Sequence, residues 1–184
     1  STILDSKQFN GSLIRNFNDA INFIERHINV STVIEGRLSE RVFEIPEICL
    51  REGVINALIH RDYLESGAQV SVEIFPDKIR ITNPGGLPKG LDKKEFGSYS
   101  LARNAIIASI MQRTPLMEKL GTGITRIKNA LNKAKLPSAA YSFNQFFNLE
   151  SNKEGFAERK KNVVLIPDSR GGFLELDPDV TRVN

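Results

Sequence analysis

Residues 51–63 read Arg51-Glu52-Gly53-Val54-Ile55-Asn56-Ala57-Leu58-Ile59-His60-Arg61-Asp62-Tyr63. A spacing of four places Glu52, Asn56 and His60 on one side of a helix. Cys49 falls in the same narrow arc, while Glu47 and Arg51 lie on another side and can pair through solvent. Most other positions are apolar (Ile48, Leu50, Val54, Ile55, Leu58, Ile59). A largely buried helix that already has a solvent side needs a reason for a second polar stripe, and a cavity is one. The alternative makes Glu52 to His60 the ordinary solvent face and Glu47/Arg51 a frayed first turn. Periodicity does not separate the two. A carboxylate that takes a proton and a carboxamide whose oxygen ligates a hard cation suit nucleotide-triphosphate chemistry at a magnesium site.

Working outward, residues 10–30 repeat Leu13, Ile14, Phe17, Ala20, Ile21, Ile24 and Ile28 at helical spacing, an amphipathic helix. Residues 32–45 read as a hairpin with its tip at 36–40. Pro46 opens the helix that runs to about His60. Residues 69–75 alternate strictly, and Pro76-Asp77 turns them into a second strand, 78–82. The stretch 83–104 is rich in turn formers and reads as mobile. Helical periodicity resumes at 103–113 and again from Ile124 to about Lys135, where Pro137 stops it. Residues 141–149 alternate weakly and read as a final strand. Residues 151–162 are polar and read as a linker, 163–166 can pair as a strand, and the remainder reads as loosely ordered. Helices and antiparallel hairpins in this mixture predict an α+β fold, a two-layer sandwich with helices on one face of a mixed, largely antiparallel sheet.

The chain has 184 residues, a formal charge of +3 and 40% hydrophobic content, ordinary for one soluble domain with a real core. Mild basicity permits an anionic ligand without demanding one. The single cysteine excludes an internal disulfide and suits a reducing cytoplasm. No apolar run reaches membrane-spanning length, so no membrane partner is expected. The start at Ser1 suggests a piece of a longer protein.

Two glycine turns bear on the site. Asn83-Pro84-Gly85-Gly86-Leu87-Pro88 follows a strand, and its glycines let backbone approach a ligand closely. Gly121-Thr122-Gly123 opens a helix, whose free N–H groups and positive end form an anion site, with the Thr122 hydroxyl as a further donor. Each alone is weak, since plain turns and Gly-x-Gly before helices are common. Their joint order is informative: acidic/amide helix, strand hairpin, Gly-rich turn, loop, second Gly turn on a helix.

That order resembles the GHKL (Bergerat-fold) ATPases, which include type II topoisomerase ATPase domains, histidine kinases and MutL. More closely, Arg-Glu-x-x-x-Asn-Ala-x-x-His-Arg-Asp-Tyr, Ile-Thr-Asn-Pro-Gly-Gly-Leu-Pro, Ser-x-x-Arg-Asn and Glu-Lys-Leu-Gly-Thr-Gly-Ile are similar to the RecG-related helicase C-terminal and Schlafen/AlbA-type transcriptional regulator family. The resemblance spans roughly residues 8–150. It implies a GHKL-like ATPase domain over 1–150, built from a helix and hairpin (8–45), a nucleotide-site core (46–136) and a closing strand (141–149), with 151–184 as linker and tail. It implies ATP and Mg2+ as cofactors and Glu52 as the residue that polarises the attacking water. Asn56 becomes the magnesium ligand, and His60 a residue of the pocket edge. Gly85 and Gly86 occupy the first Gly box, Gly121, Thr122 and Gly123 the second, and 89–104, with Arg103 and Asn104, the lid.

One departure stands out. The family's adenine-reading Asp is matched here by Thr82 or Asn83, neither a carboxylate. Asn83 can still accept a hydrogen bond from the base, with less preference for adenine. Arg61/Asp62 fit equally a structural ion pair closing the helix. No Gly-x-x-x-x-Gly-Lys-Ser/Thr occurs, so a P-loop helicase motor is excluded. Two functions follow: an ATP-binding module with slow Mg-dependent hydrolysis, serving a bacterial DNA-linked transcriptional regulator, or an interaction and dimerisation module that kept the fold and lost nucleotide use. The first implies DNA contact through other domains of a longer cytoplasmic protein, and both allow a homodimer. Direct DNA binding by this segment rests only on pI and the charges at 153–161, and ranks last.

Overall fold

The computed structural model describes residues 5–35, 38–117, 121–153, 164–167 and 173–176. Helix α1 (Leu13–His27) starts where Ser12 accepts a hydrogen bond from the Arg15 N–H, satisfying one of the first-turn donors. It buries Phe17, Ile21 and Ile24 against helix α2 (Glu47–His60). Ile14, expected on the apolar face, is 44% exposed, because it lies at the rim of that stripe. Between them, strands β1 (Val30–Glu35) and β2 (Leu38–Phe43) pair antiparallel. Residues 38–40, expected in the hairpin tip, belong to β2, and 36–37 lie outside the described residues.

Strands β3 (Ser71–Ile74) and β4 (Lys78–Pro84) form the next hairpin. β4 carries on through Asn83 and Pro84, so the first Gly turn begins later than the sequence suggests. Proline is tolerated there as the last rung of the ladder. Helices α3 (Ala105–Met111) and α4 (Gly123–Lys133) follow. The expected final strand is instead two, β5 (Ala140–Phe143) and β6 (Phe146–Asn152). Asn144 and Gln145 turn the chain, with the Asn144 N–H donating to the Phe146 carbonyl at 3.0 Å. The asparagine turn signal was present but hidden by the alternation running through it.

The second sheet has the order β3-β4-β6-β5 and is antiparallel throughout. The first is mixed: β7 (Val164–Pro167) and β8 (Phe173–Leu176) join it in the order β2-β1-β8-β7, with β8 parallel to β1. The expected strand at 163–166 coincides with β7, and β8 is an element the sequence reading lacks. Of the linker expected at 151–162, residues 151–152 belong to β6 because they continue its ladder with β4, and 154–162 lie outside the described residues, as do 168–172 and 177–184. Helices and antiparallel strands together make this an α+β fold.

The core lies where α2 packs on α1, α4 and β4. Ile55, Ile59, Ile79, Ile81, Ile127, Leu131 and Leu149 are all buried there. Full burial of each such side chain contributes about 1.5–3 kcal/mol. Gly53 allows the close approach: a Cβ at that position would sit 2.6 Å from Ile81 Cδ1 and 3.1 Å from Leu149 Cδ2. No helix among the described residues is long and apolar enough to cross a membrane.

Candidate nucleotide site

Strand alternation sorts the sheet residues first. Ile81 and Asn83 of β4 pair with Leu149 and Phe147 of β6, so all four share the face that looks toward α2. Thr82, one residue out of phase, shares the opposite face with Asn148 and donates to its Oδ1 at 2.7 Å. Of the two residues offered for base recognition, only Asn83 faces the cavity. Thr82 is turned away from it by the two-residue period of the strand.

That cavity has a volume of about 110 Å3 and is lined from four directions. Glu52, Asn56 and His60 of α2 form one wall, together with Gly53. Glu52 is only 8% exposed, which decides between the two readings of the helix: the polar stripe faces an interior hollow, and Glu47 and Arg51 form the solvent side, 3.9 Å apart. Asn83, Phe147 and Leu149 make the floor. Gly121, Gly123, Ile124 and Ile127, at and beyond the start of α4, make a second wall. Residues from 86 to 101, among them Leu87, Leu91, Phe96 and Tyr99, close the top.

The second Gly turn is pressed against the polar stripe. A Cβ on Gly123 would meet Glu52 Oε2 at 2.7 Å and Asn56 Nδ2 at 3.0 Å. Gly121 has φ +83, a left-handed conformation that a side chain would strain. The turn brings the N-terminal end of α4, with its positive dipole end, to the two α2 head groups. Thr122 is the N-cap residue of α4 and does not line the cavity, although both flanking glycines do.

Arg126, one turn into α4, reaches back and its Nη1 donates to Glu52 Oε1. The sequence reading missed this ion pair. Its signal was the position of Arg126 three residues after Gly123, on the face that continues the Gly turn. Cys49 shares the arc of the stripe but not its role. It is buried, its thiol points at the Ile127 carbonyl at 3.7 Å, and burial pushes its pKa up to about 12. It is an inert core residue.

His60 lines the cavity at the C-terminal end of α2. The Arg103 backbone N–H points at its Nδ1 at 3.4 Å, so that nitrogen is the acceptor and the neutral ring carries its proton on Nε2. Burial, then the neighbouring Arg103 guanidinium, holds its pKa below 6.5.

Arg103 and Asn104, expected as lid contacts to nucleotide, are engaged with the end of α2 and the first Gly turn. Asn104 Nδ2 donates to the Ile59 and Arg61 carbonyls, at 2.7 and 2.8 Å, satisfying the end of α2. The Arg103 guanidinium donates to the carbonyls of His60 (3.0 Å) and Gly86 (2.9 Å) and pairs with Asp62 at 3.4 Å. Neither lines the cavity, because their donors are used on backbone carbonyls. Asp62 therefore pairs with Arg103, while Arg61 donates to the Ala68 carbonyl and lies over the Tyr63 ring. Gly85 sits behind the cavity, close to Asp62 and Arg103, and Gly86 forms its edge.

Residues 67–149 match the family described as "Putative ATP-dependent DNA helicase recG C-terminal". Over this stretch, less than half of the chain, the sequence is similar to that RecG-related, ATPase-like family. The match takes in Asn83, both Gly turns and the residues between them, and begins after the α2 stripe. Among solved structures, the crystal structure of the DIP2311 protein from Corynebacterium diphtheriae is similar, with a TM-score of 0.66 and 24% identity. The likeness covers 83% of this chain and 32% of that one, so the chain spans about a third of that protein's length, and what they share is the fold. No match to a curated protein was found.

Proposed function

We propose that this chain binds a purine nucleoside triphosphate with Mg2+, in the manner of the GHKL ATPases. The observation that carries the proposal is the convergence of Glu52, Asn56, Asn83 and the Gly121/Gly123 turn on one cavity. Each supplies a distinct need of such a ligand. Asn83 offers a buried amide to the base, and the Gly turn offers N–H groups and a helix dipole to the phosphates.

The donor set fits magnesium. Among the described residues no group of three His, Cys, Asp or Glu side chains is placed to hold a metal alone. Magnesium bound with a triphosphate takes only one or two protein ligands, the phosphates and water filling the rest. Asn56 would hold it through its carbonyl oxygen. When bound, the ion would offset charge on the phosphate oxygens.

Glu52 is the residue to orient and deprotonate an attacking water. Its engagement by Arg126 favours binding with slow turnover, because an oxygen occupied by a guanidinium must be released before it can take a proton from water. Acting as a nucleotide-sensing module of a longer, cytoplasmic, DNA-linked regulator is the role that best suits a slow site. A module that lost nucleotide use is the alternative. Thermal melting with ATP or a non-hydrolysable analogue, with and without Mg2+, separates them. At a ligand concentration of 100 Kd the nucleotide reading requires about 2.7 kcal/mol of stabilisation. Unchanged melting at millimolar Mg-ATP overturns it.

A further inference from the structure

Asn83 is 1% exposed, and its Oδ1 has no hydrogen-bond partner among the described residues. A buried acceptor left unpaired is rare in a folded protein, and here it lines a cavity. Its backbone is held in the ladder with β6, opposite Phe147. Phe147 lies directly across the ladder from it, and Leu149, Ile127 and Met117 are apolar groups lining the same cavity. A ligand part that fits this place is flat and apolar on its faces, with a hydrogen-bond donor on its edge.

We infer that Asn83 reads the base through the paired acceptor and donor of its amide, and that the site therefore accepts adenine, guanine and hypoxanthine nucleotides with little discrimination. This rests on the nucleotide reading above. Adenine presents an N6–H donor beside the N1 acceptor, and guanine and hypoxanthine present an N1–H donor beside the O6 acceptor. An amide meets either edge by turning over, whereas a carboxylate could only accept.

The test is calorimetric titration of the chain with the Mg complexes of ATP, GTP, ITP and purine-riboside triphosphate, whose base has neither an exocyclic group nor N1–H. Wild type is expected to bind the first three within about tenfold of one another. The fourth should be weaker by about tenfold, the worth of a lost hydrogen bond to a buried acceptor. Asn83→Leu removes both polar atoms and should bring all four within about threefold. Should leucine prevent folding, Asn83→Asp keeps the shape. Its two acceptors match both guanine donors but only one on hypoxanthine, so the GTP/ITP affinity ratio should rise from near one to about tenfold. GTP and ITP binding about 100-fold weaker than ATP, or an Asn83 variant keeping the wild-type order, overturns the inference while leaving nucleotide binding intact. Failure of all four ligands to bind overturns the nucleotide reading itself.

Discussion

Glu52 and His60 sit two turns apart on α2, and their surroundings ask different things of each. Glu52 is held against Arg126 and beside the Gly123 backbone, so its geometry is fixed by α4. Glu52→Ala is expected to spare Mg-nucleotide binding, read by thermal shift, and to abolish phosphate release. Asn56→Ala is expected to weaken binding itself. Wild-type behaviour in both variants would remove the assigned roles. His60 gives a pH signature. Its folded pKa lies below 6.5, so the unfolded chain takes up the proton first as pH falls. The stability this confers is complete above pH 6.5 and is lost as pH drops through the depressed folded value. Relative to His60→Gln, the wild-type melting advantage should therefore shrink from pH 6.5 downward. A difference that stays constant to pH 5 would show that burial does not shift this imidazole. The sequence made these head groups legible because a spacing of four is visible without coordinates. It placed Arg126 three residues after Gly123 but could not pair it with Glu52, since that ion pair depends on how α2 and α4 cross.

Elements, rather than single contacts, decide whether the site is presented at all. Gly53 lets α2 lie on β4 and β6, and Gly123 lets α4 lie on the α2 polar stripe. The same substitution should act differently at the two. Gly53→Ala pushes a methyl group against Ile81 and Leu149 in a packed core, and overpacking of this kind costs about 1–3 kcal/mol. For a domain this size that lowers Tm by about 2–4 °C per kcal/mol. Gly123→Ala meets only the far ends of the Glu52 and Asn56 side chains rather than packed core atoms, so Tm should change by less than about 2 °C. It should nonetheless displace both groups and weaken Mg-ATP binding by about tenfold or more. Equal losses of stability in the two variants would contradict the assignment of α4 to the phosphate side. The helices and the 71–84 hairpin were readable from period and turn chemistry. The β5/β6 hairpin was not, because the alternating pattern of 141–149 continues through its Asn144-Gln145 turn. β8 escaped because its four residues, Phe173–Leu176, are too short to carry a period.

At the scale of the whole molecule, the cavity is smaller than its proposed ligand. About 110 Å3 falls well below the roughly 300–1,000 Å3 of typical ligand pockets, so residues 86–101 must shift for a nucleotide to enter. The structure shows what holds them and where they are fastened. Phe96 packs on Tyr141, Phe143 and Phe147 with ring centroids 5.0, 4.6 and 5.7 Å away, an aromatic latch on the cavity face of β5 and β6. Arg103 and Asn104 anchor the far end of the segment to the C-terminus of α2, and Arg103 also holds its start through the Gly86 and Leu87 carbonyls. With both ends held by Arg103 and the middle latched by the Phe96 ring, opening would be confined to the residues between. Each aromatic pair contributes about 0.5–1.5 kcal/mol beyond its buried area, so the latch favours the closed form by an amount that ligand binding can overcome. Hydrogen exchange measures this directly. Amides of 86–101 should exchange faster in Phe96→Ala than in wild type without ligand, and saturating Mg-ATP should slow them in wild type. If Mg-ATP raises Tm while exchange across 86–101 stays unchanged, the ligand enters by another route and this segment is no lid. If Phe96→Ala leaves exchange unaltered, the aromatic cluster is not the latch, and the Arg103 tether must hold the segment closed by itself.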